Sequence, residues 1–137
     1  MQTPKPVTVP IPVRFSDLDA MNHVNNAVFF TYFEEGRKFL FHDLEDFQDF
    51  SFILGSIDCR YIRPVTLESR LQLEIGVDKI GTKSFDLLYR LADASDPSIV
   101  FATGRSTQVW YDYEKNLSVE IGEAERKKLE KYPPPVI

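Results

Sequence analysis

The stretch Asn26-Ala27-Val28-Phe29-Phe30-Thr31-Tyr32-Phe33-Glu34-Glu35-Gly36-Arg37-Lys38-Phe39-Leu40-Phe41-His42 decides how this chain folds. Phe29, Phe33, Gly36 and Leu40 recur at helical spacing, which predicts one long helix from Asn26 to about His42. Its first half is apolar almost all round, which a helix lying on a surface is not, so a sheet is expected to wrap it there. Charge enters further on, where Glu34 and Lys38 stand at i,i+4 and Glu34 and Arg37 at i,i+3, pairs worth roughly a few tenths of a kcal/mol.

Working outward, Val7 to Phe15 is rich in β-branched residues and reads as a first strand. Pro10 and Pro12 are two apart, so their missing N–H groups fall on one lateral side, and the strand belongs at a sheet edge. Beyond a connector at residues 43–51, Leu71, Leu73, Ile75 and Val77 alternate with Arg70, Gln72, Glu74 and Asp78, giving one dry and one wet face. Phe85, Leu87, Tyr89 and Leu91 repeat the pattern after the turn at Gly81-Thr82, and Ile99 to Tyr111 forms a long strand after Asp96-Pro97. These short connections imply an antiparallel meander. Residues 122–131 carry alternating Glu and Lys and read as a short peripheral helix, stopped by Pro133 to Pro135. The layout is α+β: an antiparallel sheet of about five strands around one long central helix.

At 137 residues the chain fits one domain spanning 1–137, with residues 1–6 loosely ordered and 122–137 a peripheral tail. Its hydrophobic fraction of 43% with eleven Phe supplies one core. A formal net charge of -5 argues against general nucleic-acid binding, which needs clustered Lys and Arg. No apolar run approaches the roughly 20 residues that span a bilayer. With one cysteine, Cys59, and no charged-then-apolar leader, the expected compartment is the cytoplasm, and the acceptor-like triplet Asn116-Leu117-Ser118 reads as coincidence.

The chemistry is concentrated in Arg14-Phe15-Ser16-Asp17-Leu18-Asp19-Ala20-Met21-Asn22-His23-Val24-Asn25-Asn26, a polar loop leading into the aromatic helix. A helix start presents unpaired N–H groups and partial positive charge, suited to an oxyanion, and a carboxylate seven residues upstream could face that spot. Residue chemistry alone leaves a second account open: Asp17, Asp19, Asn25 and Asn26 are also the residues that turns and N-caps prefer.

The loop resembles the D-x-D-x-x-G-H-V-N-N signature of the 4-hydroxybenzoyl-CoA thioesterase-like family, in which an aromatic helix ending in E-x-A-R follows; here the helix reads Tyr32-Phe33-Glu34-Glu35-Gly36-Arg37. The resemblance extends to Arg60-Tyr61-Ile62-Arg63-Pro64-Val65 and to Ala102-Thr103-Gly104-Arg105-Ser106-Thr107, and so covers nearly the whole chain. It implies the hotdog fold and an acyl-CoA thioesterase acting on a fatty or aromatic acyl group. It further implies Asp19 as general base or nucleophile, the Asn26 backbone N–H as oxyanion donor, and Glu34 as a second-rank site residue. No cofactor is implied beyond the coenzyme A of the substrate. In such proteins two sheets join edge to edge and the sites form between subunits, so a homodimer or homotetramer is expected. Two positions depart from the pattern. Asn22 replaces the usual Gly and tolerates left-handed dihedrals, while Gly36 replaces Ala and would permit close packing on the sheet.

The remaining candidates carry plainer alternatives. His23 could orient substrate or shuttle a proton, or be a structural hydrogen-bonder. Asn25 and Phe29 are candidate substrate contacts, and with Phe30, Tyr32 and Phe33 the latter would line an acyl tunnel. Arg60, Arg63 and Lys83 could hold phosphates, though the favoured reading of each is an ordinary solvated strand residue. Asp17 and Asp19 have no companion ligand cluster, so no metal is expected. Cys59 reads as a small buried hydrophobe. Three rivals stay open: a non-catalytic acyl-CoA or acyl-carrier binding module, a thioesterase for acyl-carrier protein, and a hotdog dehydratase using His23.

Overall fold

Leu71, Leu73, Ile75 and Val77 are all buried, as are Phe85, Leu87, Tyr89 and Leu91, so the alternation does set a single dry face. The computed structural model describes residues 3–44 and 51–137. In chain order it holds β1 (Val7–Ile11), a 3-10 turn (Phe15–Asp17), α1 (Val28–Asp43), β2 (Phe52–Tyr61), β3 (Leu71–Ile80), β4 (Ser84–Asp93), β5 (Val100–Asp112), β6 (Leu117–Ser118) and α2 (Glu123–Leu129). The connector expected at 43–51 lies largely outside the described residues.

The strands run in the order β1-β3-β4-β5-β2, every pairing antiparallel, with the short β6 on the end of β5. The meander is therefore β3-β4-β5, while β2 leaves its sequence neighbour β3 and pairs across the sheet with β5. β1 is an edge, as expected, but it ends at Ile11 rather than Phe15, so only Pro10 of the two prolines lies within it. Arg14 instead folds back on Asp17, whose carboxylate takes the Arg14 backbone N–H at 2.9 Å and its guanidinium at 2.8 and 3.0 Å, and this closes the 3-10 turn.

The long helix lies against the dry face. Phe29, Phe33, Gly36 and Leu40 are buried at the expected spacing, and burying each large side chain stabilises the fold by roughly 1.5–3 kcal/mol. At Gly36 α1 packs closely on β3: a Cβ there would stand 2.4 Å from Leu73 Cδ2. Phe33 stacks on Tyr89 with ring centroids 4.4 Å apart.

Arg37 departs from the expected surface pair with Glu34. It turns inward, donating to the Tyr89 hydroxyl at 3.1 Å, and heads a buried polar chain. Tyr89 and Ser106 share a hydrogen bond of 2.6 Å, the Ser106 hydroxyl donates to Gln108 Oε1, and Gln108 Nε2 donates to the Phe85 carbonyl at 2.9 Å. Such a chain is tolerable in a core only when every member is satisfied, and each of these is. Glu34 pairs with Lys38 at 3.9 Å on the exposed side of α1, and Lys38 lies closer to Glu35, at 3.2 Å.

The wet face carries its own order. Arg90 stands opposite Glu74 at 2.6 Å, and Arg105 bridges Asp78 and Asp86 at 2.7 and 2.8 Å, cross-strand pairs worth roughly 0.2–1 kcal/mol apiece. The segment after α2 crosses this face. Tyr132 accepts the Val77 N–H at 2.9 Å, and Pro133 lies over Gly76 so closely that a Cβ there would stand 1.8 Å from its carbonyl oxygen.

Candidate active site

Residues 17–28 form a tight loop whose backbone is held from three directions. Leu18 and Val24 pair as an antiparallel bridge, the Asp19 N–H donates to the His23 carbonyl at 2.7 Å, and the Val24 N–H donates to the Val65 carbonyl at 2.8 Å. The turn between them passes through Asn22 at φ 61°, the left-handed conformation that an Asn tolerates in place of Gly.

Asp17 anchors the loop from below. It is buried, and besides Arg14 it takes the Tyr32 hydroxyl at 2.8 Å, while its carbonyl accepts the Asn25 N–H at 2.9 Å. Burial alone would raise the Asp17 carboxyl, but hydrogen bonds from the Arg14 side chain and backbone and from Tyr32, together with the Arg14 charge, leave it below the usual carboxylate range. Tyr32 is pushed up by its own burial and by holding that carboxylate.

Asp19 is exposed and uses one oxygen on its own loop: Oδ1 accepts the Met21 N–H at 2.9 Å and the His23 N–H at 3.3 Å. Its Oδ2 has no hydrogen bond among the described residues. The turn account of this Asp is thus met by one oxygen, and the other is free of the loop.

The helix start is built by Asn25. Its Oδ1 accepts the Ala27 N–H at 2.9 Å and its carbonyl accepts the Val28 N–H at 2.9 Å, while the Tyr61 hydroxyl donates to the Asn26 carbonyl at 2.7 Å. The Asn26 N–H is left without an acceptor among the described residues. Asp19, His23, Asn26 and Arg63 share a cavity of about 260 Å³ with Phe29, Tyr61, Val24 and Pro64.

Of the sequence candidates, the structure brings Asp19, His23, Asn26, Phe29 and Arg63 together here, with Asn25 shaping the rim. It does not bring the others. Glu34 faces outward beside Lys38; Arg60 points to the wet face, in a pocket with Asp58, Leu88 and Arg105. Lys83 sits at the β3–β4 turn, beside Ser84, which pairs with Val109 seven residues further along β5 than the partner of Tyr61, about 23 Å at the rise of an extended strand. Of the aromatic residues expected in a tunnel, Tyr32 turns to Asp17 and Phe33 to Tyr89. Cys59 is half-buried, and burial, modulated by Tyr61 and Asp58, pushes its thiol up to about 11, so it is a poor nucleophile near neutral pH. Among the described residues no cluster of three or more His, Cys, Asp and Glu could hold a metal.

Sequence reasoning overlooked Tyr61 and the anchoring role of Asp17. Tyr61 was visible in part, since it shares the inward side of β2 with Cys59 by simple alternation; its contact with Asn26, 35 residues away, was not.

Comparison with known proteins agrees with the fold. The chain is 30% identical over 123 residues to the uncharacterized protein YsmA of Bacillus subtilis (strain 168), covering 87% of this chain and 82% of that one. Among solved structures it is similar to a thioesterase from Thermus thermophilus complexed with coenzyme A and Zn. That match has 26% identity and a TM-score of 0.83, covering 94% of this chain and 95% of the other. It is also similar to YbaW, a probable thioesterase from Escherichia coli, at 26% identity and a TM-score of 0.82, covering 90% and 96%. A sheet wrapped on one long helix, a D-x-D loop at the helix start and a family model matching residues 13–129 together establish that the chain is a hotdog-fold member of the thioesterase-like superfamily.

Proposed function

We propose that the protein hydrolyses the thioester of a fatty or aromatic acyl-CoA to the free acid and coenzyme A. The observation that carries this reading is the pairing, on one cavity, of an Asp19 oxygen with no hydrogen bond and an Asn26 N–H with no acceptor. The Asp19 carboxylate can either attack the thioester carbonyl or take a proton from an attacking water. Both routes put negative charge on the carbonyl oxygen, and a preorganised amide there is worth several kcal/mol, about 3 to 4 per donor in other acyl-transfer enzymes. The leaving group is the thiol of coenzyme A, and Arg63 at the rim supplies a cation for its phosphates. The relative from Thermus thermophilus with coenzyme A bound supports the same carrier.

The working unit in this reading is at least a dimer. β1, with Pro10, closes one sheet edge, but among the described residues β2 pairs only with β5 and presents its other side unpaired, flanked by exposed Ile53, Leu54 and Ile62. A second copy joined there would add its surface to the cavity beside Tyr61. The test is a panel of short, long and aromatic acyl-CoA substrates assayed by free-thiol release. Turnover of one class is the expected result; tight binding without release would instead mark a carrier-binding module.

A further inference from the structure

We infer that Tyr61 is a positioning residue for the hydrolysis proposed above, holding the Asn26 amide in the direction an oxyanion requires; the inference rests on that reading of the site. Two peptide planes meet at Asn26. The plane joining Asn26 to Ala27 is held at both ends, its carbonyl by the Tyr61 hydroxyl at 2.7 Å and its N–H by Asn25 Oδ1 at 2.9 Å. The plane joining Asn25 to Asn26 is held at its carbonyl by the Val28 N–H at 2.9 Å, which leaves the Asn26 N–H as its one unengaged end among the described residues, on a residue that lines the same cavity as Asp19.

With three ends fixed, the direction of the fourth follows from the chain geometry, because each plane is rigid and only the φ and ψ of Asn26 join them. Two of the anchors lie within the helix start itself and could shift together with it. Among the described residues Tyr61 is the one that ties Asn26 to another element, the end of β2. Its ring is in turn set by Phe29, edge to face at 5.0 Å and 89°, and by pairing of its backbone with Ala102. An oxyanion donor helps only if it is oriented before the charge forms, and displacements of the order of 1 Å cost large factors in rate. Tyr61 spends its proton on a carbonyl of the protein rather than on the substrate, so its effect belongs in kcat and not in proton transfer.

The experiment is Tyr61→Phe in the full chain, with kcat and KM on the best acyl-CoA substrate, the kcat–pH profile, and amide hydrogen exchange at Asn26 and Ala27. The expected result is a kcat lowered about tenfold, KM within about twofold, a pH profile of unchanged shape, and faster exchange at the Ala27 amide, with the Asn26 amide, already without an acceptor, unchanged. Asn25→Ala, which frees the other end of the same plane, should give the same signature. An active wild type with unchanged kcat in Tyr61→Phe overturns the role of Tyr61 alone. A loss confined to KM, or loss of one limb of the pH profile, also overturns it, making Tyr61 a substrate contact or a proton donor. A wild type that cleaves no thioester overturns the hydrolase reading itself, and the role of Tyr61 with it.

Discussion

Asp19 divides its two oxygens between structure and reaction, which makes the amide variant unusually informative. In Asp19→Asn the side-chain carbonyl can still accept from Met21 and His23, so the loop keeps its shape while the charge is lost. Turnover should fall at least about a hundredfold with the unfolding midpoint little changed; near-wild-type turnover would remove Asp19 from the mechanism. Asp17 answers to a different measurement. Its folded carboxyl lies below its unfolded value, so its contribution to stability is present above about pH 4 and is lost as pH falls through the depressed folded value. Asp17→Asn should lower the unfolding midpoint at pH 7 by several degrees and flatten its fall between about pH 4 and pH 2. Thermal scans across that range check both, and a variant as acid-sensitive as the wild type would sink the assignment.

At the level of elements, the parts that could be read in advance are those whose burial repeats locally. Leu71 to Val77 and Phe85 to Leu91 alternate because each strand has one covered face, and Phe29 to Leu40 keeps helical spacing because one stripe meets β3 and β4. Pro10 and Pro12 disclosed an edge because a missing donor has only one place to go. What stayed hidden depends on partners remote in the chain: β2 crossing to β5, Arg37 finding Tyr89, Tyr61 reaching Asn26. In the site, the loop residues were legible because turn chemistry and reaction chemistry favour the same side chains there, whereas Arg60 and Lys83 are charges whose facing no local pattern encodes. The crossing of the segment after α2 was hidden likewise, and Gly76 tests it. Since a Cβ at 76 would meet a backbone carbonyl at 1.8 Å, Gly76→Ala should displace residues 132–135, lower the unfolding midpoint and speed limited proteolysis within them. A variant as resistant to protease as the wild type would mean that this segment does not bear on the sheet.

For the molecule as a whole, one blunted edge and one open edge predict how copies meet. Association through β2 should give a dimer or a dimer of dimers in light scattering coupled to sizing, and specific activity should fall on dilution as copies separate. A fully active species near 15.8 kDa would sink both the interface and a shared site. The crossing of Tyr132 and Pro133 over Gly76 also makes the cover of the wet face separable from the sheet beneath it, since residues 132–135 follow every strand in the chain. A chain cut back before Tyr132 keeps every strand pairing while it uncovers Gly76 and leaves the Val77 N–H without its acceptor.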